Sequence, residues 1–279
     1  MRIKPALAHA VLAIGALMTG GCERALFAFA NRGLPPPEST VTYAPDAGLA
    51  LDVYRPDGAN GSAPVVVFFY GGNWQRGTRE QYRFVGRRLA RNGVLAVVAD
   101  YRTWPRAGFP AFVEDGAKAV AWARENARRY GGDPSRVFVA GHSAGAQIAA
   151  LIATDARYLQ PHGLSPRDLA GAIGLSGPYD FNITGQYVPI FGPPAQWPRA
   201  QAVNFVDGDE PPFLLVHGAA DEVVEARDSR QLAELLRAAG VRVELLELPE
   251  AGHSAPLLGL YSPERAPNVL PAILSFVKR

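Results

Sequence analysis

Cysteine is almost absent from this 279-residue chain, whose one thiol, Cys22, lies near the N-terminus. An internal disulfide framework and a thiol nucleophile in the body are therefore excluded. Charge of a single sign is also lacking. With 28 Lys and Arg against 26 Asp and Glu, the formal net charge is only +2. That balance offers no basic surface for nucleic acid and suits neutral or weakly charged small molecules better than polyanions. No internal repeat is visible. The apolar run from Ala6 to Thr19 falls short of the roughly 20 residues that span a bilayer.

What is present at the N-terminus reads as an export leader over residues 1–21. Arg2 and Lys4 form a basic start, and the Ala6–Thr19 run follows. Removing those two cations leaves the mature charge at zero. Leu17-Met18-Thr19-Gly20-Gly21 before Cys22 resembles a bacterial lipoprotein signal, in which the cysteine becomes lipidated. Thr19 departs from the usual leucine. Ala28-Phe29-Ala30 offers an ordinary cleavage site as an alternative, and a retained anchor is a third. Each places the body outside the cytoplasm, and the first and third associate it with a membrane. Residues 22–40, with Pro35-Pro36-Pro37, read as a linker that stiffens into a polyproline-like spacer.

Residues 41–279 have the length and 48% hydrophobic content of a single substantial domain. Apolar, β-rich runs predict strands near 50–54, 65–69, 94–99, 137–140, 172–175, 213–217 and 243–248. Helices are predicted near 79–92, 112–130, 144–154, 229–239 and 270–278, the first with Thr78 as a cap and the last ending in Lys278-Arg279. Alternating strands and helices imply an α/β fold, a mainly parallel sheet with helices on both faces. The segment 177–212 interrupts the alternation with seven prolines and six aromatic residues. It reads either as a lid or pocket wall or as a surface insertion packed on its own rings.

Gly141-His142-Ser143-Ala144-Gly145 lies between the strand-like Val137–Ala140 and the helical Ala146–Ala153. A serine on a sharp strand-to-helix turn is a nucleophile elbow, and Gly141 and Gly145 permit close backbone approach. A base is sought among five histidines. His9 belongs to the leader, and the His142 side chain should point away from the serine hydroxyl. His162 lies in a connection, and His217 ends a strand. His253 remains, in the loop after the 243–248 strand, where a rigid sheet can present it. Asp221, just past the 213–217 strand, is the acid by position, with Glu222 and Glu225 as neighbouring candidates. Gly71 and Gly72 after the 65–69 strand can turn amides toward Ser143, and the Ala144 amide would complete an oxyanion hole. Arg102 with Glu114 and Asp115 reads as a structural ion pair. Gly131-Gly132-Asp133-Pro134 reads as a turn and not a phosphate loop.

These stretches, with Leu51–Pro56, Tyr70–Trp74, Asp100-Tyr101-Arg102, Phe109-Pro110-Ala111 and Tyr130–Arg136, resemble the esterase branch of the α/β-hydrolases. That branch includes hormone-sensitive-lipase-type carboxylesterases, feruloyl-esterase-like enzymes and prenylcysteine methylesterases. Two departures are Tyr70, where the family has histidine, and Asn73, where it has a third glycine. The resemblance implies the α/β-hydrolase fold and a serine carboxylic-ester hydrolase with Ser143, Asp221 and His253 as triad. No metal or cofactor is implied. The partner would be a small ester of modest size, since no room exists for a helical N-terminal cap. Amide, thioester or formamide hydrolysis at the same site is the near alternative. A non-catalytic lipoprotein binding module is the alternative of another class.

Overall fold

The computed structural model describes residues 20–279. Arg2, Lys4, His9 and the Ala6–Thr19 run lie outside the described residues. Cys22 falls in helix α1 (Gly20–Ala30), which is followed by an antiparallel pair, β1 (Ser39–Ala44) and β2 (Leu49–Tyr54). Then come β3 (Ala63–Phe69), α2 (Arg83–Ala90), β4 (Leu95–Ala99), α3 (Ala111–Asn126), β5 (Gly132–His142), α4 (Ala144–Thr154) and β6 (Gly171–Leu175). The short α5 (Val188–Phe191), β7 (Phe213–Gly218), α6 (Arg227–Ala238), β8 (Val243–Leu248), α7 (Ala255–Tyr261) and α8 (Val269–Lys278) complete the chain.

Among the described residues the strands form one eight-stranded sheet in the order β1-β2-β4-β3-β5-β6-β7-β8. Only β2 runs against its neighbours; from β4 to β8 every pairing is parallel. Interior parallel strands are covered on both faces, so β3 and β4 are continuous buried apolar runs without alternation. In α4 every residue is buried. Helix α3 packs on α4, and α2 and α8 both pack on α7. The fold is that of an α/β-hydrolase.

After β3 the chain first adds β4 on one side and then β5 on the other. Connections diverge at that point, and crevices for ligands open at the carboxyl ends of strands where this happens. Register brings those ends to one edge: Phe69 lies beside Gly141, His142 beside Leu175, and Gly218 beside Leu248.

Several boundaries differ from the sequence reading. Strand β1 has no apolar run, because burial alternates along an edge strand. The 79–92 helix divides into a 3-10 turn, Arg79–Tyr82, and α2, with the Gln81 side chain accepting from the Thr78 N–H at 3.1 Å. The 112–130 helix likewise ends at Asn126, before a 3-10 turn over Ala127–Tyr130. The segment read as a polyproline-like spacer packs against the body. Asn31 donates to the Glu80 and Gln81 carbonyls at 3.0 and 2.9 Å and accepts from the Phe84 N–H at 3.0 Å. Phe27 packs on Tyr82 at 5.0 Å between ring centroids, and Arg87 donates to the Pro35 carbonyl. A side chain that satisfies three backbone groups at the head of α2 holds the strap that polyproline stiffness alone would leave standing off.

Candidate active site

Ser143 occupies the single residue between β5 and α4, with φ 54° and ψ −122°. A non-glycine residue in that region stores on the order of 1–3 kcal/mol, sustained only where the surroundings over-determine it. They do here. The Ser143 N–H donates to the Leu175 carbonyl at 2.9 Å, and its own carbonyl accepts from Ala146 and Gln147. A Cβ on Gly141 would stand 2.1 Å from the Gly145 carbonyl oxygen, and one on Gly145 would stand 2.1 Å from that of Phe69. The head of α4 is thereby pressed onto the ends of β5 and β3, which only glycines allow.

The loop after β3 abuts this turn. A Cβ on Gly71 would lie 2.9 Å from His142 Nδ1 and 3.1 Å from Ser143 Cβ. Gly72, Asn73 and Trp74 all have positive φ, and the Gly72 carbonyl accepts from Gln75 and Arg76 to close the loop. Tyr70 is a packing residue, stacked on Tyr101 at 4.6 Å, while the Tyr101 hydroxyl donates to the Tyr70 carbonyl. Ala144 opens α4, and first-turn amides have no acceptor within their own helix.

Two further loops meet beyond β7 and β8. Ala219 and Ala220 donate to the Leu248 and Ala251 carbonyls at 2.9 and 3.0 Å. This lacing brings His253 to Asp221, with His253 Nδ1 2.8 Å from Asp221 Oδ2. The other carboxylate oxygen accepts from the Val223 and Val224 amides at 2.9 and 3.0 Å. Burial would raise the Asp221 carboxyl, but hydrogen bonds from His217, His253 and the Val224 amide outweigh it and hold the group well below the usual carboxylate range. A proton on His253 Nδ1, bound to a carboxylate, leaves Nε2 of the neutral ring as an acceptor. Of the neighbouring acids, Glu225 is exposed and paired with Arg227 at 2.9 Å.

His142 lies against this pair, its ring 4.9 Å from that of His253 and its Nε2 3.1 Å from the His253 carbonyl oxygen. Burial, reinforced by His253, pushes it down to about 3, so it stays neutral. His162 lies elsewhere, beside Lys118, and Arg102 is bound by Asp115 at 2.7 Å. Two residues with no sequence signal beyond a polar side chain in an apolar run complete the surroundings. Gln147, fully buried, accepts from Trp74 Nε1 at 3.1 Å and donates to the Ala200 carbonyl at 2.8 Å. His217, read as a strand end, lies beneath Asp221.

A cavity of about 200 Å³ opens at Ser143. Its lining includes the aromatic Trp74, Phe181 and Tyr187 and the charged Glu225, Arg227 and Asp228. Trp74 stacks on Phe181 at 5.3 Å and meets Phe191 edge-on at 4.9 Å, so the 177–212 segment forms an aromatic wall. The larger concavity, about 650 Å³, lies between the β1–β2 turn and α3 and includes none of Ser143, Asp221 or His253. Among the described residues no cluster of metal-ligating side chains occurs.

Esterase LipC of Mycobacterium tuberculosis is 35% identical over 78% of this chain and 60% of its own length. Isoprenylcysteine alpha-carbonyl methylesterase ICME of Arabidopsis thaliana is 29% identical over 74% of the chain and 54% of its length. The chain thus spans less than two thirds of these relatives. A thermophilic esterase from Thermogutta terrifontis, Est2 with propionate bound, superposes with a TM-score of 0.77 at 25% identity, covering 88% of this chain and 94% of that one. The BD-FAE family model matches residues 51–236, more than half of the chain. On that match, and on the sheet that carries it, the chain belongs to the BD-FAE family of α/β-hydrolases.

Proposed function

We propose that this protein is a serine carboxylic-ester hydrolase acting through Ser143, His253 and Asp221. The observation that carries the reading is the 2.8 Å bond from His253 Nδ1 to Asp221, which leaves the other imidazole nitrogen as a base. Ser143 Oγ attacks the ester carbonyl carbon as His253 Nε2 takes its proton. The Gly71, Gly72 and Ala144 amides hold the oxyanion. Collapse of the tetrahedral intermediate breaks the bond to the alcohol, which leaves with the proton from His253. Water then repeats the cycle on the acyl-enzyme, releasing the acid and restoring Ser143. Asp221 stabilises the imidazolium in both halves. The small cavity at Ser143, and the propionate in the Thermogutta terrifontis relative, favour short acyl groups.

Ser143→Ala removes one hydroxyl from a turn whose backbone bonds remain. It should fold as wild type and lose hydrolysis of p-nitrophenyl butyrate by about 10³-fold or more. Retention of a tenth of the wild-type kcat would rule the reading out, and a wild-type rate no higher than background would favour a binding module. A panel that included anilides and thioesters would separate ester from amide specificity.

The leader and Cys22 further suggest export of the protein and anchoring of its body to a membrane through a lipidated cysteine.

A further inference from the structure

His217, the penultimate residue of β7, has no exposure to solvent. Its Nε2 stands 2.9 Å from the Val224 carbonyl oxygen and 3.2 Å from Asp221 Oδ2. Its Nδ1 stands 2.7 Å from the hydroxyl of Ser229, a fully buried residue of α6. A carbonyl oxygen and an ionised carboxylate can only accept, so the ring proton sits on Nε2. In the neutral ring Nδ1 is then the acceptor, and the Ser229 hydroxyl donates to it. The opposite tautomer would aim a lone pair at two oxygens. The Val224 carbonyl and Asp221 therefore fix the tautomer of His217, and the Ser229 hydroxyl holds that ring in place by donating to Nδ1.

Both carboxylate oxygens of Asp221 are thereby supplied from the protein. Oδ1 takes two backbone amides of its own loop. Oδ2 takes His253 at 2.8 Å and faces His217 Nε2 at 3.2 Å, whose proton it shares with the Val224 carbonyl at 2.9 Å. The amides restrain Oδ1, but nothing from that loop restrains the oxygen that orients His253. A side chain with no exposed surface that lacked the His217 donor would hold its charge with His253 alone on Oδ2.

We propose that His217, held by Ser229, is a positioning residue for Asp221. It fixes Oδ2 at the point from which His253 is oriented toward Ser143. The inference rests on the reading of Ser143, Asp221 and His253 as catalytic residues. His217 exchanges no proton with substrate and touches none of the reacting atoms. Its contribution enters kcat through the orientation of the base and leaves ground-state binding in the cavity unchanged.

The test is steady-state hydrolysis of p-nitrophenyl butyrate by the full-length protein. His217→Leu keeps the apolar volume and removes the donor. It should lower kcat by about tenfold or more with KM within about twofold. His217→Gln can return an N–H near the former Nε2 and should recover most of the loss. Wild-type kcat in His217→Leu would overturn the proposal, as would equal losses in well-folded Leu and Gln variants. If His217→Leu fails to fold, Ser229→Ala decides, because it keeps the imidazole and deletes only the hydroxyl that holds its Nδ1. A several-fold fall in kcat at constant KM is expected, and an unchanged kcat overturns the proposal. Ser143→Ala, run alongside, separates the two readings. An active Ser143→Ala removes the esterase reading and this inference with it. An inactive one beside an unaffected His217→Leu removes this inference alone.

Discussion

His142 follows the last apolar residues of β5 and immediately precedes the nucleophile, yet its Nδ1 is buried with no hydrogen-bond partner. An imidazole in that position is tolerated only uncharged, and burial pushes it down to about 3. The unfolded chain protonates the same ring near 6.5. Unfolding therefore takes up a proton between those values, and stability falls as pH drops from about 6.5 toward 3. Asp221, held well below the usual range, adds to the loss at the acid end. Asp228 has the opposite sign. Burial raises it to about 6, so the folded state binds its proton more tightly, and it gains stability as pH falls from 6 toward 4. The histidine shift is the larger, so the net effect is acid destabilisation. The urea midpoint should be lower at pH 4.5 than at pH 7. The drop should shrink in His142→Gln, which keeps a donor toward the His253 carbonyl without a titrating ring. An equal drop in both proteins would assign the acid sensitivity to other groups.

Between the sheet and the cavity, the 177–212 segment and the loop after β3 are joined through one side chain of α4. Gln147 bonds Trp74 on one side and the Ala200 carbonyl on the other, and Gln201 ties Phe181 back at 2.9 and 3.1 Å. These bonds favour a fixed wall over a lid that swings free. Gln147→Leu keeps helix propensity and volume but leaves the Trp74 N–H and the Ala200 carbonyl without their partner, at about 1–3 kcal/mol for each buried group. The variant should have a lower urea midpoint, faster proteolysis within 182–200 and a reduced kcat, since Trp74 continues the loop that carries Gly71 and Gly72. A wild-type kcat and cleavage pattern would show that wall and loop are independent. Neither α5 nor α7 was legible in the sequence. Each is short and carries a proline in its first turn, so neither develops a helical period long enough to read.

Taken as a whole molecule, the body is fastened to its own N-terminal segment. Helix α1 and Asn31 lie against the head of α2, so a lipid on Cys22 would hold the domain close to a bilayer rather than at the end of a loose tether. Exposed Leu26 and Phe29 on α1 fit a place near that surface. Wild-type protein should fractionate with membranes and take up a fatty-acid label. Cys22→Ser should lose the label, and the esterase activity of the protein it leaves should be unchanged. Soluble, unlabelled wild type beginning at Asn31 would favour cleavage after Ala30. Apolar runs alone were enough to read the seven strands β2 to β8 and the α/β class, because the interior parallel strands β3, β4, β6 and β7 are buried on both faces and show it in every residue. Chain position made Ser143, Asp221 and His253 the candidates beyond the ends of such runs. What pattern could not supply was partnership. Asp221 rather than Glu225 meets His253 because two loops are laced at the ends of β7 and β8. His217 and Gln147 find their partners across 12 and 73 positions of chain, and β1, half exposed at the sheet edge, is defined by its pairing with β2. Periodicity records how deeply a residue is buried, but which neighbour it meets there is decided only when the elements pack.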